Sequence, residues 1–277
     1  MPTSINQLFD QIHKIPQVPE VVRSIINQLN NPNADMLNIA RDVEKEQVIA
    51  LKILRLVNSA HFGLSRKIGS INEAVAMLGL NQLKTLVIAS GMIGAMPEIK
   101  NFDVKRSWQN SFRTAAYSKW LAEQAGVAAD IAYTAGLLSN LGNVLIHIAC
   151  PSEANEIDQH VKAGGAERLD IEKNRLGFTS QQVCAELCRR WRFAEILIET
   201  LEQSAEPWLS EQPNKLSYAV CLAGWISERQ DRGMETAEIL ANLPEQITGP
   251  LGFPADLLNE KMPAVLVQKS ELDGLLD

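Results

Sequence analysis

The chain has 277 residues, 46% of them hydrophobic and 21% charged, the balance of an ordinary globular protein rather than a disordered one. A formal net charge of −7 argues against broad nucleic-acid binding, which needs a basic face. No apolar run is read as reaching the roughly 20 residues of a membrane span, and the start MPTSINQLFDQIHK has no basic stretch followed by an apolar core. The expected setting is cytoplasmic, with neither nucleic acid nor membrane as partner.

Residues 4–13 read as a short opening helix. Ile15-Pro16 and Val18-Pro19 force an extended connection, because a residue before proline avoids the α region. PEVVRSIINQLNN follows as a helix with Val22, Ile25, Ile26 and Leu29 on one face. Asn31-Pro32-Asn33 ends it, and Asp35 is placed to cap MLNIARDVEKE. Residues 46–58 give a strongly apolar helix, with Ile49, Ile53, Leu56 and Val57 inward and Lys52 and Arg55 at its edge. The segment NSAHFGLSRKIGS breaks the pattern. Ser70 is placed to cap INEAVAMLG, and Asn81 to cap QLKTLVIASGMIGAM. There is no strand alternation in these first hundred residues.

Met96-Pro97-Glu98 reads as a boundary between lobes. The long helix 103–125 carries Trp108, Phe112, Ala116 and Trp120 on one i+4 row, read as a core stripe. After a turn at Gly126, residues 130–148 are apolar nearly all round, as a buried helix is. Leu138, Leu141 and Leu145 are expected in the core. Ser139, Asn140, Asn143 and His147 interrupt this rod with a polar seam. Pro151 opens a further helix that Gly164-Gly165 closes. Helices follow at 166–176, 179–191 with Thr179 as cap, 194–203 and 214–230. From Glu245 onward Pro250, Pro254 and Pro263 leave only short helices, and the ending KSELDGLLD is expected to fray. Arg189, Arg190 and Arg192 around Trp191 read as a solvated face with one packed ring. Cys150, Cys184, Cys188 and Cys221 form no CxxC pair and read as buried free thiols. No P-loop, GxSxG or GxGxxG is present.

Three stretches carry a resemblance. They are IPQVPEVVRSIINQLNNPNADMLNIARDVEKEQVIALKILRLVNSAHFGL, SINEAVAMLGLNQLKTLVIASGM, and SWQNSFRTAAYSKWLA followed by AYTAGLLSNLGNVLI. Together, from about residue 10 to about residue 210, they resemble the HDOD domain, the HD-related output domain of bacterial signalling proteins. The resemblance implies an all-α protein in two helical lobes: 1–97 as an N-terminal bundle, 103–230 as an HD-like domain, and 231–277 as an extension with short helices.

HD phosphohydrolases hold metal through a first His, a His-Asp pair and a late Asp. Here the resemblance places Asn110, Ser139-Asn140 and Gly224 at those positions, and Gln203 and Ser204 where some members keep paired histidines. Neutral side chains give little attraction to a divalent cation, and His13 and His147 do not make a ligand set. The expectation is no catalytic residue, no bound metal and no cofactor. The preferred reading is a stand-alone signalling module that binds other signalling proteins. The alternatives are a nucleotide sensor lined by Asn110, Asn140 and Asn143, or a residual metal phosphohydrolase. If proteins are the partners, the run His61, Phe62, Leu64, Arg66 and Lys67 offers apolar anchors beside cations.

Overall fold

The computed structural model describes residues 4–12, 17–27, 36–59, 62–97, 99–100, 102–164, 166–254, 256–267 and 270–276. Ile15-Pro16, Asn31-Pro32-Asn33, Asp35, His13, His61, Glu98 and Gly165 lie outside them. The fold is all-α, with no strand among the described residues. The chain forms two compact units: Met1–Ile15 with Glu98–Gln268, and Pro16–Pro97 with Lys269–Asp277.

The smaller unit contains α2 (Glu20–Asn27), α3 (Met36–Lys45), α4 (Gln47–Val57), α5 (Ile71–Leu78) and α6 (Leu80–Ala95). Leu83, Leu86, Val87, Ile88, Ala89 and Met92 of α6 are all buried. Around α6 pack α2, α4 and α5, which bring Val22, Ile25, Ile53, Leu56 and Ile71 into one core. Ser70 caps α5, accepting from the Glu73 amide at 3.2 Å. Asn81 does not cap α6. The helix starts a residue earlier, at Leu80, and Gly79 at φ 81° closes α5 and opens α6 at once. A side chain is disfavoured at that angle, so glycine sets the junction.

The larger unit departs from the expected boundaries. The opening helix α1 (Ile5–Gln11) belongs here rather than with the next ninety residues. Its Leu8 and Phe9 are buried, and the Arg190 guanidinium lies 4.2 Å from the Phe9 ring centre. The stretch expected as an extension is also core. Ile239, Ile247, Leu251, Leu258, Met262 and Leu266 pack with Tyr117, Leu121, Leu222 and Ile226 in a single cluster. The expected fraying end belongs instead to the smaller unit, as a 3₁₀ segment, Glu271–Leu275, with Leu272 fully buried.

Asp103 caps α7 (Val104–Gln124), accepting from the Arg106 amide. The aromatic row on α7 holds only at its start: Trp108 and Phe112 are buried, Ala116 is exposed and Trp120 half-buried. An i+4 row drifts about 40° per step round a helix, so after three steps it has left the core face. The rod expected over 130–148 is two helices, α8 (Ala129–Leu138) and α9 (Leu141–Ala149), with Ser139-Asn140 in the turn between them. Leu138, Leu141 and Leu145 are at most 1% exposed. Contrary to the reading that no run is long enough, Ala129–Ala149 meets the length and apolarity of a membrane span, yet 78% of its most apolar window is buried inside the protein. The unit continues with α10 (Pro151–Ala163), α11 (Arg168–Leu176), α12 (Ser180–Arg190), α13 (Glu195–Gln203), α14 (Lys215–Asp231), α15 (Thr236–Ala241), α16 (Glu245–Leu251) and α17 (Leu257–Leu266).

Candidate functional site

The positions that the resemblance assigns to metal ligands are built from α7, the α8–α9 turn and α14. Two close approaches fix the turn. A Cβ on Gly136 would lie 2.7 Å from Ser118 Oγ and 2.8 Å from the Thr114 carbonyl, so α8 sits directly on α7. A Cβ on Gly142 would lie 1.7 Å from the Ser180 carbonyl, so α9 sits directly on α12. Only glycine permits either contact, and together they leave Ser139 and Asn140 half-buried where the chain bends.

Asn140 Nδ2 donates to Asn110 Oδ1 at 2.6 Å. The two positions the resemblance assigned to ligands are therefore adjacent and joined by one hydrogen bond. Ser139 Oγ turns back to donate to the Gly136 carbonyl at 2.8 Å. Ser227 of α14 donates to the Asn110 carbonyl at 3.3 Å. One turn before it, Gly224 is half-buried, and a Cβ there would meet nothing within 4 Å. Beside this group Arg106 and Arg113 converge on Asp231, at 3.0 Å each, and tie α7 to α14.

This donor set does not fit a divalent metal. Two neutral amides bonded to each other, a hydroxyl bonded to a backbone carbonyl, and a glycine offer no anionic or imidazole ligand. Among the described residues no three His, Cys, Asp or Glu side chains are grouped to hold an ion. Burial raises Cys188 well above its ordinary value, burial and Glu153 push Cys150 up to about 11, and burial and Glu206 push Cys221 up to about 12. Cys184 is fully buried and donates to the Leu138 carbonyl at 3.1 Å.

Asn143 does not join Asn110 and Asn140. Its Oδ1 accepts from Arg168 Nη2 at 2.5 Å. Arg168 also reaches Asp158 at 2.7 Å and Glu172 at 2.9 Å. Glu172, 1% exposed, accepts in turn from the Ser180 amide at 2.7 Å. His147 places Nδ1 2.9 Å from the Asn143 carbonyl and Nε2 3.0 Å from Asp158, with Phe102 against its ring at 4.2 Å. Burial works against the Asp158 charge, but His147 and Arg168 outweigh it and bring its pKa down to about 2. This cluster locks α9, α10, α11 and α12 together. The spacing Arg168 to Glu172 marks a helical i,i+4 pair in the sequence, but nothing in the sequence marks the reach to Asp158 and Asn143.

The loop after α4 is braced rather than open. Asn58 Nδ2 donates to the Ile68 carbonyl at 2.8 Å, and the Ile68 amide donates back to Asn58 Oδ1 at 2.7 Å. Phe62 and Leu64 are half-buried, Lys67 is exposed, and Arg66 pairs with Glu73 at 3.1 Å. The large apolar side chains most exposed nearby are on α4 itself, Val48 and Leu51, each at 68%. The basic cluster near Trp191 is also paired: Arg189 with Glu186 and Glu202, and Arg190 with Glu186. A groove of about 750 Å³ between α15 and α17 is lined by Thr236, Ala237, Leu240, Ala241, Asn259 and Pro263, none of them a candidate site residue.

Comparison with known proteins bears on the fold and the family. A solved structure from Shewanella amazonensis SB2B, whose name proposes a phosphohydrolase, is similar over 98% of both chains, with TM-score 0.79 and 29% identity. An HDOD domain protein of unknown function from Geobacter sulfurreducens has the same fold, with TM-score 0.79 and 22% identity over 97% of this chain and 95% of that one. An uncharacterised protein of Treponema pallidum (strain Nichols) is 30% identical over 200 residues, 69% of this chain and 38% of that protein. A second curated relative, YuxH of Bacillus subtilis (strain 168), is 32% identical over 60 residues, 22% of this chain and 15% of that one. The chain thus spans well under two thirds of the length of these curated relatives. The HDOD domain model matches residues 15–207, a span that holds Asn110, Ser139, Asn140 and the helices that position them. The chain belongs to the HDOD domain family.

Proposed function

We propose that the protein is a non-catalytic regulatory module that acts by binding other proteins, on an HD-type scaffold whose chemistry has been removed. The observation that carries this reading is the Asn140–Asn110 hydrogen bond at 2.6 Å. Metal-dependent hydrolysis of a phosphodiester needs a cation to activate water and to balance phosphate charge. Here the groups that would hold that cation are neutral and spent on each other, while the glycine contacts and the Arg168 cluster that shape the surrounding helices are intact. A scaffold without its ligands still presents a rigid surface, and binding is the work such a surface can do.

Residual hydrolysis is the second reading, favoured by the name of the Shewanella structure at 29% identity. Assay of purified protein against phosphodiester substrates with added manganese, iron or zinc separates the two. The interaction reading expects no turnover above a buffer control, and recovery of a specific protein from native lysate. Metal-dependent turnover that is lost in Asn140→Ala would establish the hydrolase instead.

A further inference from the structure

The segment Ser270–Leu276 belongs to the smaller unit. It contacts α4 and α6, with Leu272 fully buried and Leu275 at 7% exposure. A Cβ on Gly274 would lie 2.7 Å from Leu56 Cδ1, so the backbone rests directly on α4. Ser270 Oγ accepts from the Leu272 amide at 3.2 Å. Residues 98–268, which belong to the other unit, separate this segment in sequence from the helices it covers. Its contacts include two buried leucines and a 3₁₀ stretch, a conformation of poor hydrogen-bond geometry.

The surface it occupies is wider than the segment. At about 100° per residue, Leu56, Lys52, Val48, Arg55 and Leu51 follow one another round α4. Leu56 lies under the segment. Lys52 is half-buried on the side of α6, its Nζ 4.0 Å from where a Gly94 Cβ would stand. Val48, Arg55 and Leu51 are exposed. Thus a seated apolar strip continues into an open one that carries two cations in a chain of net charge −7. The occupant has the complementary chemistry: SELDGLL sets Glu271 and Asp273 between and beside leucines three residues apart.

We propose that α4 and α6 form a receptor for short acidic segments with two leucines three residues apart, that Ser270–Leu276 is its built-in occupant, and that a regulatory partner presents the same chemistry and displaces it. This rests on the interaction reading and adds the surface and the partner class. A partner longer than the built-in segment reaches Val48, Arg55 and Leu51 as well, which gives it the advantage over an occupant already in place.

The test is fluorescence anisotropy with a labelled peptide KSELDGLLD and the full-length protein. In wild type the built-in segment competes. In Leu272→Asp/Leu275→Asp the site is vacated, so the apparent affinity rises by at least about tenfold. Added salt and Lys52→Glu should each weaken that binding. No saturable binding to a folded double variant overturns the proposal. Should the double variant unfold, hydrogen exchange on wild type decides: the proposal needs Leu272–Leu276 to exchange much faster than Leu83–Met92, and equal protection overturns it. Dimers that trade the segment between copies would assign the groove to a second copy of this chain and overturn the partner assignment. Failure of the peptide to bind leaves the interaction reading standing, whereas metal-dependent turnover removes that reading whatever the peptide does.

Discussion

Asn140 Nδ2 donates to Asn110 Oδ1 at 2.6 Å across the α7 and α8–α9 junction. The bond is a neutral link between α7 and the α8–α9 turn.

Two helical glycines of the larger unit, Gly142 and Gly224, separate packing from chemistry. Gly142→Ala puts a methyl 1.7 Å from the Ser180 carbonyl and must pry α9 from α12. The cost expected is about 1–3 kcal/mol or more, as for other overpacked cores. Gly224→Ala meets nothing within 4 Å and should stabilise α14 by about 0.5–1 kcal/mol through helix propensity. Chemical denaturation of both variants reads the contrast, and a strongly destabilised Gly224→Ala would show that the recess beside Ser227 is filled.

Leu141→Ala tests the packing of the central turn. Leu141 is 1% exposed, and truncation of such a residue costs about 2–5 kcal/mol. A loss below about 1 kcal/mol would mean that α9 is not the buried helix it is taken to be.

The Arg168 cluster sets an acid limit on stability. Asp158 has its folded pKa lowered to about 2 from an ordinary value of 3.8. Its contribution is therefore complete above the ordinary carboxylate range and is lost as pH falls through that range toward the folded value. Asp158→Asn should lower the melting temperature at neutral pH and flatten its decline between about pH 4 and pH 2. Arg168→Met leaves Glu172 buried and without its cation, and should cost about 3–5 kcal/mol. Unchanged melting curves for both variants would remove the cluster from the account.

The loop after α4 should respond through its brace and not its cation. Asn58→Ala breaks two hydrogen bonds to Ile68 and leaves a part-buried amide unpaired, a loss of about 1–3 kcal/mol. Arg66→Glu removes an ion pair between side chains 63% and 41% exposed, worth about 1 kcal/mol at most. Partner recovery by Arg66→Glu in a pull-down then reports on binding with little interference from stability.

The sequence made the helices legible because their cause is local. The 3.6 period and the caps at Ser70 and Thr179 predict elements close to those observed, whereas the caps Asp103 and Asn214 come from the structure. The pairing of positions 110 and 140 was legible only through family resemblance, since nothing local joins residues thirty apart. The break at Ser139-Asn140 was hidden because both residues keep helical angles and the apolar period runs on through them. The seating of α1 and of Leu272 was hidden for another reason. Each segment is short and has few apolar residues, and its partners lie in sequence-distant helices. The i+4 row on α7 misled because a repeat of four is not the helical repeat.

The most direct measurement is elemental analysis of full-length protein purified after exposure to manganese, iron and zinc, run in parallel on wild type and on Asn110→His/Ser139→His/Asn140→Asp/Gly224→Asp. The account predicts substoichiometric metal in wild type and a gain of metal in the restored variant, because the scaffold is intact and only the ligands are missing. Stoichiometric metal in wild type that Asn140→Ala abolishes would contradict it.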